Sequence, residues 1–523
     1  MPVAVLRRDR WLAGALFGVP VAFVATGVVV PLGYLVLRAL DADPAVLADL
    51  VFRGRTLRLL GRTLALAAGV LALTTALALP LAWLSVRSDL RGRRLLAILG
   101  AWPLAVPGYV MAYALVAATG ASGWLAHVGV VVPRASGYVG AWAALSLYTF
   151  PYLFLNVRAA LAGLDPTLEE AARALGYGGR DVLRRVVLPQ LVPAYGAGAL
   201  LVVLHVLGDF GVVSLMRYET FSYAVYLQYT AAFDRVYAAW LALMLLALTG
   251  GLVAAEAGWL RGLRLTRTGT GAPRRFAPAA LGPWRWLAYA LTGLLAFASV
   301  GMPIGTTLFW LGRGAESAPS AALGEALFDS TRAALPAAFL AAALALPVAY
   351  LGVRRPSART RLMERAAYLG YATPPLAFAL ALVFFSLHAV PALYQTLALL
   401  VVAYALHFLA EAIGPVRSAL YQAPPRAEEA ARILGRSPLP AFFAATFPLL
   451  RRGIGVSVAF VFLSALKELP LTYLLAPLGF RSLSMGAWSA ANEALFSVAA
   501  PYALVLMGSS TVLVALVLRS FRA

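Results

Sequence analysis

The stretch Ala76-Leu-Ala-Leu-Pro80-Leu-Ala-Trp83-Leu-Ser-Val-Arg87 returns as Ala343-Leu-Ala-Leu-Pro347-Val-Ala-Tyr350-Leu-Gly-Val-Arg354, an offset of 267. Each copy closes a long apolar run and ends on arginine. Other landmarks keep the same order. Glu170-Ala-Ala-Arg173-Ala-Leu-Gly176 matches Glu429-Ala-Ala-Arg432-Ile-Leu-Gly435 at an offset of 259. Pro189 matches Pro448, and Gly208-Asp209-Phe210 falls on Lys467-Glu468-Leu469, both again at 259. The chain therefore reads as two halves of one design.

Outward from these copies the sequence is almost continuously apolar. Of its 523 residues, 62% are hydrophobic and 12% charged, against about 25% charged in soluble domains, and there is no Cys. That balance excludes a disordered chain, a disulfide scaffold and an ordinary cytosolic enzyme. Apolar runs at about 11–37, 60–86, 95–118, 138–157, 192–215, 236–258, 284–311, 333–351, 366–388, 391–410, 453–475 and 497–518 predict about twelve transmembrane helices in an all-α polytopic membrane protein. Hydrocarbon offers no partner to an unpaired backbone group, so each run is read as a helix. The first run follows Arg7, Arg8 and Arg10 as a signal peptide would. It is too long for a signal core and lacks a small-x-small cleavage site, so it is read as a retained helix.

The charge fixes an orientation. Of 43 basic residues, 31 fall in segments 1–10, 87–94, 158–191, 259–285, 352–365, 411–452 and 519–523, alternate junctions that the positive-inside rule assigns to the cytoplasm with both termini. Arg53, Arg55, Arg58 and Arg62 break the pattern and are expected on an interfacial helix. A net charge of +21 is thus assigned to the membrane surface and its lipid, and no nucleic-acid partner is expected. Six spans separate the two Glu-Ala-Ala loops, so both lie on one side and the repeat is parallel. The expected organisation is an N-terminal segment with the first helix over 1–57, a first repeat domain over 58–258, a basic linker with the seventh helix over 259–325, and a second repeat domain over 326–519.

The loop 158–191 is the most patterned polar segment. Asp165-Pro166 is a helix start, an N-cap followed by proline at the first position. A short helix is expected over 167–175, with Gly176 as its stop. A second is expected over about 180–188, ending before Pro189. The other half repeats this with Pro424-Pro425, Glu428-Glu429, Gly435 and Pro448. The small pairs Ala171, Ala172 and Ala430, Ala431 let another surface approach closely, so each loop is expected to be a knob that docks in a partner's groove.

The spacing Glu-Ala-Ala, three residues, Gly, nine residues, then Val186-Val-Leu188-Pro189 resembles the EAA signature of the membrane subunits of binding-protein-dependent ABC importers. In the second half Ala445 and Phe447 replace the aliphatic pair. Asp209-Phe-Gly211-Val-Val-Ser214-Leu, Thr220-Phe-Ser-Tyr223-Ala-Val-Tyr226 and Glu468-Leu-Pro470-Leu-Thr472-Tyr-Leu-Leu475 are similar to the fused ferric-iron permeases of that superfamily. Thiamine, phosphonate and polyamine permeases share parts of the pattern. The resemblance implies two type I permease halves in a bacterial inner membrane. It implies two ATPase subunits, one per half, docked on Glu170, Ala171, Ala172, Gly176 and Pro189 and on Glu429, Ala430, Ala431, Gly435 and Pro448. It also implies an extracytoplasmic binding protein, with ferric iron as substrate.

The residues agree with that division of labour. A P-loop needs Gly-Lys-Ser/Thr, and the only lysine, Lys467, follows Leu466. The chain is therefore expected to be a transport subunit without its own ATPase site or cofactor, ATP being used by its partner. His127, His205, His388 and His407 are scattered, and no metal site is expected. Asp209, Lys467 and Glu468 sit at equivalent positions of equivalent helices, where ionisable groups are costly. They are read either as a pair between halves, Asp209 with Lys467, or as the lining of a translocation path. Glu256 and Glu411 are expected at helix ends, in reach of water. An ion-gradient-driven secondary transporter would share twelve helices and parallel halves but would have no use for the knobs. No catalytic constellation supports a membrane enzyme.

Overall fold

In the computed structural model, residues 3–41, 53–261, 278–314 and 320–520 are described. Among them, nine straight helices are long and apolar enough to cross a membrane, and three bent pairs bring the count to twelve. The bent pairs are Arg93–Ala105 with Gly108–Ala118 (92°), Thr360–Ala372 with Pro375–Ala389 (106°), and Leu397–His407 with Leu409–Gln422 (52°). The two sharpest bends fall at Pro107 and at Pro374-Pro375. There the missing N–H and the restricted preceding residue stop a continuous helix. These two bends are equivalent at the 267 offset.

Several expected boundaries move. The fifth and eleventh spans run Gly179–Gly208 and Pro438–Lys467. They start earlier than the apolar runs and stop at Asp209 and Glu468, beyond which short helices Gly211–Leu215 and Pro470–Leu475 follow. The second short helix of each knob does not end before its proline. It is the first turn of the next span, joined through π-turns at Leu183–Val187 and Phe442–Thr446. Leu188 N–H bonds to Leu183 O, and Phe447 N–H to Phe442 O. The wider turn gives Pro189 and Pro448 room without a break. The arginines at 53–62 do not form a separate interfacial helix. Arg55, Arg58 and Arg62 occupy the opening turns of the span Gly54–Arg87, where Arg55 and Arg62 pair with Glu219 at 2.8 and 3.5 Å.

Packing exchanges helices between halves. One core gathers Leu66, Val110, Leu145 and Phe154 of the first half with Met302 of the seventh span and Ala503 and Leu506 of the twelfth. The other gathers Phe378, Leu400 and Ile413 of the second half with Val24, Val28 and Leu35 of the first span and Leu241 and Leu245 of the sixth. Polar ties show the same reciprocity. Trp240 Nε1 donates to Ala39 O (2.7 Å), and Tyr34 packs edge-on to Phe385. On the other side Trp310 Nε1 donates to Ala117 O (3.0 Å), Trp124 Nε1 to Thr306 Oγ1 (2.8 Å), and Trp310 packs on Phe496. A stripe of buried small residues, Ala334, Ala337, Ala338, Ala341 and Ala345, lets the eighth span lie close to its neighbours.

The end of the linker is stitched down. Ala279 N–H donates to Arg87 O (2.7 Å), Asp89 N–H to Ala279 O (3.1 Å), and Leu281 N–H to Asp89 Oδ1 (3.1 Å). The rest of the basic stretch, including Arg267 and Arg274, lies outside the described residues.

Candidate coupling knobs and central cavity

Each knob is a short helix, Pro166–Ala174 or Pro425–Ile433. Asp165 Oδ1 accepts Thr167 N–H at 3.0 Å and caps the first, as its sequence requires. Both end in the same Schellman arrangement. Gly176 N–H bonds to Arg173 O and Tyr177 N–H to Ala172 O, while Gly435 N–H bonds to Arg432 O and Arg436 N–H to Ala431 O. The glycines stand at φ +88° and +86°, in the left-handed region. A Cβ on either would meet nothing within 4 Å, so the constraint there is purely backbone. Glu170, Ala171, Glu429 and Ala430 are exposed, and Leu175 and Leu434 stand out at 79% and 84% exposure. Ala172 is buried and Ala431 half-buried, facing the membrane domain rather than outward. Pro189 and Pro448 are exposed on the helix just past the π-turns.

The knobs are latched by the residue before the expected glutamate. Glu169 Oε1 meets Arg87 at 2.9 Å, both side chains about one-tenth exposed (11% and 9%), and Arg173 lies 3.7 Å from Oε2. In the second half Glu428 instead accepts from Tyr350 Oη (2.9 Å) and Thr446 Oγ1 (3.0 Å), while Arg354 donates to Ala423 O (2.7 Å). One knob is held by a nearly buried ion pair, the other by hydroxyls.

Between the halves lies a cavity lined by both bends and both helix breaks, among them Pro107, Gly108, Pro374, Pro375, Asp209 and Glu468. Irregular backbone at membrane depth is tolerated in such a place. Its lining is pseudo-symmetric at the 259 offset: Tyr148 with His407, Tyr152 with Glu411, His205 with Ser464, Gly208 with Lys467, and Asp209 with Glu468. Asp209 Oδ1 accepts Val212 N–H (2.8 Å) and Oδ2 accepts Tyr148 Oη–H (3.1 Å). Glu468 Oε1 accepts Leu471 N–H (3.1 Å). Gly208 packs so tightly on the other half that a Cβ would sit 3.1 Å from Pro375 Cδ. Its counterpart Lys467 carries a long chain instead, whose Nζ donates to Leu104 O at 3.1 Å. Among the described residues no ion pair joins Asp209 to Lys467, so of the two readings the pair between halves does not form. Glu411 does not sit at a helix end in water: the bend at Phe408 turns it into the cavity, where Ser464 Oγ donates to it at 2.6 Å.

From the carboxylates the lining runs along Leu204, Leu201 and Tyr152 towards the knob end. On the opposite side a cross-half aromatic cluster closes the way. Phe210 packs on Trp488 (5.3 Å), Tyr226 on Tyr473 (5.5 Å), Tyr226 Oη bonds to Tyr473 Oη (3.2 Å), and Trp488 Nε1 donates to Ser214 Oγ (2.9 Å). Among the described residues no group of three or more His, Cys, Asp or Glu could hold a metal. His127, His205 and His388 each bond through Nδ1 to the carbonyl four residues back.

The sequence profile of the family described as binding-protein-dependent transport system inner membrane component matches residues 74–256 and again 332–522. The chain belongs to this family. The Fe(3+)-transport system permease protein FbpB 2 of Haemophilus influenzae is 30% identical over 481 residues, 91% of this chain and 92% of that protein. The molybdenum transport system permease protein ModB of Escherichia coli is 34% identical over 133 residues, 25% of this chain and 58% of that protein. The sulfate transport system permease protein CysT of Salmonella typhimurium is 30% identical over 200 residues, 38% of this chain and 72% of that protein. The chain is thus a multi-pass ABC permease subunit of the inner membrane, from a family that works with an ATPase and a binding protein.

Glu170 and Glu429 lie on the exposed side of the knobs, while Glu169 and Glu428 lie on the side that is latched. The inward glutamates were legible: both halves carry a doubled glutamate, and Arg87 and Arg354 end the repeated helix. The phenols of the cavity carried no such mark. Tyr109, Tyr148 and Tyr152 all belong to apolar runs, and of the three only Tyr109 sits at a bend.

Proposed function

We propose that this permease passes ferric iron inward by alternating access, driven by two copies of an ATPase subunit that dock on the two knobs. The observation that carries the substrate is the cavity lining. Asp209 and Glu468, one from each half, line it and join no ion pair among the described residues, while Lys467 is held by Leu104 O, which favours a hard cation over an oxyanion such as molybdate or sulfate. The extensive likeness to a ferric permease supports the same choice. In this reading both termini and both knobs are cytoplasmic, the permease domains span 58–258 and 326–519, and ATP is bound and hydrolysed only by the partner. The aromatic cluster then lies on the extracytoplasmic side, below the docked binding protein, and the cavity opens inward. The knob residues Glu170, Ala171, Gly176, Glu429, Ala430 and Gly435 form the docking surface. Ala172, Ala431, Pro189 and Pro448 shape it from behind.

The test is reconstitution of the permease, its ATPase and its binding protein in proteoliposomes with radiolabelled iron. ATP-dependent Fe3+ accumulation is expected. Accumulation of thiamine, a phosphonate, a polyamine or molybdate with no iron uptake would overturn the substrate.

A further inference from the structure

Tyr109 sits just past the bend at Pro107-Gly108 and lines the cavity at 5% exposure. Its ring packs against Gly211, two residues beyond Asp209, where a Cβ would sit 2.8 Å from Tyr109 Cβ. Its hydroxyl is buried and has no hydrogen-bond partner among the described residues. The carboxylates of Asp209 and of Glu468, the latter from the other half, line the same cavity. Of the other phenols lining the cavity, Tyr148 spends its proton on Asp209, and Tyr152 and Tyr371 neighbour Glu411. Among the described phenols lining the cavity, that of Tyr109 is the one buried without a hydrogen-bond partner. A buried hydroxyl without a partner is unfavourable, and such a group calls for an explanation.

The charges nearby single out the same spot. The ammonium of Lys467 is held by Leu104 O and has Glu411 as its electrostatic partner. Asp209 and Glu468 are left without a cation. Each uses one oxygen to cap the helix that follows it, and the second oxygen of Glu468 has no protein hydrogen bond among the described residues.

We propose that Tyr109 is a substrate-binding residue, and that its phenol oxygen, with the carboxylates of Asp209 and Glu468, forms a transient way-station for a hard, oxygen-seeking cation crossing between the halves. This deepens the ferric reading and rests on it for the identity of the ion. Phenol and carboxylate oxygens suit a hard cation. Two of the donors are engaged in capping bonds, so the site completes its shell with water and releases its guest. The phenol comes from the first half and Glu468 from the second, so separating the halves dismantles the site.

The experiment is Tyr109→Phe, which removes one oxygen and keeps the ring, with Tyr113→Phe as the control. Tyr113 donates to Phe496 O away from the cavity. Both are assayed in the full reconstituted complex, with Fe3+ and separately Mn2+ or a polyamine supplied, alongside thermal unfolding. Tyr109→Phe is expected to leave the unfolding temperature unchanged or higher and to slow iron uptake at least tenfold. At high Fe3+ the purified permease should show a visible phenolate-to-iron charge-transfer band that Tyr109→Phe lacks. Iron uptake by Tyr109→Phe equal to wild type would overturn the way-station and leave the ferric reading standing. If wild type moves another cation instead of iron and Tyr109→Phe slows that, the ferric reading fails and the way-station stands. Transport of an oxyanion alone overturns both.

Discussion

The unequal latches make the two halves respond differently to one chemical change. Glu169→Gln leaves the nearly buried Arg87 guanidinium without its counter-charge. Removing one member of a buried pair costs about 3–5 kcal/mol, and with both side chains about one-tenth exposed little discount applies. Glu428→Gln removes a charge that only accepts two hydroxyl hydrogen bonds. The amide oxygen still accepts one, so the expected loss is about 1–2 kcal/mol. The difference of about 2 kcal/mol is roughly thirtyfold in an equilibrium constant. If a knob docks only while latched, the loss reduces its docking-competent population, and the apparent affinity for the ATPase falls by the same factor. The assay is titration of purified permease with its ATPase, reading bound subunit and stimulated ATP hydrolysis. Glu169→Gln should weaken the first docking event roughly thirtyfold more than Glu428→Gln weakens the second. The double change Arg87→Leu with Glu169→Leu should recover much of the loss, because a well-packed apolar pair replaces the charges. Equal effects of the two single changes, or no recovery in the double, would refute the latch.

The remaining expectations are simpler. Gly176→Val and Gly435→Val force a β-branched residue into the left-handed region at about 1–2 kcal/mol or more, with no steric clash. Insertion should survive while stimulated hydrolysis and ATPase co-purification fall, and Gly→Asn at either site should be milder. Unchanged coupling in the double valine variant would remove the turns from docking. Asp209→Asn and Glu468→Gln keep an oxygen for the helix cap, so unfolding temperatures should move little while uptake slows. A large fall in stability with normal uptake would mark them as structural. Because the chain has no Cys, Ala171→Cys and Ala430→Cys give clean reporters of sidedness. Both should be shielded from an impermeant thiol reagent in intact cells, and labelling of either from outside would reverse the topology.

How far the sequence reached follows from how local each signal is. Span number and the knob turns rest on apolar length and on glycine at a left-handed position, both written within a few residues. The helix breaks at Asp209 and Glu468 were hidden because apolar stretches continue on both sides of these few ionisable residues, so hydropathy ran through them. Between the two readings of Lys467 the sequence had no means to choose: equivalent positions along helices do not say where a long side chain points, and it points at a carbonyl of the other half while lining the cavity. Glu411 was placed in a loop because the apolar run ends there, whereas the backbone continues as helix after a 52° turn. The π-turns before Pro189 and Pro448 left no trace beyond the prolines themselves. The latch at Glu169 was readable only by pairing two repeats with different offsets, the 267 of Arg87 and the 259 of Glu169.

The reciprocal exchange of helices has a consequence for biosynthesis. The first span leaves the ribosome facing partners on the ninth, which follow roughly 330 residues later. At about 5–20 residues per second, that is a wait of roughly 15–65 seconds. Until the sixth span emerges its apolar face, Val21, Val24, Val28 and Leu35, can rest only against lipid or the insertion machinery, and only the ninth completes its packing. The first half meanwhile lacks its cover until the seventh and twelfth spans arrive. Neither half can therefore mature ahead of the other, and a nascent chain arrested between them should be a substrate for membrane proteolysis rather than a stable intermediate.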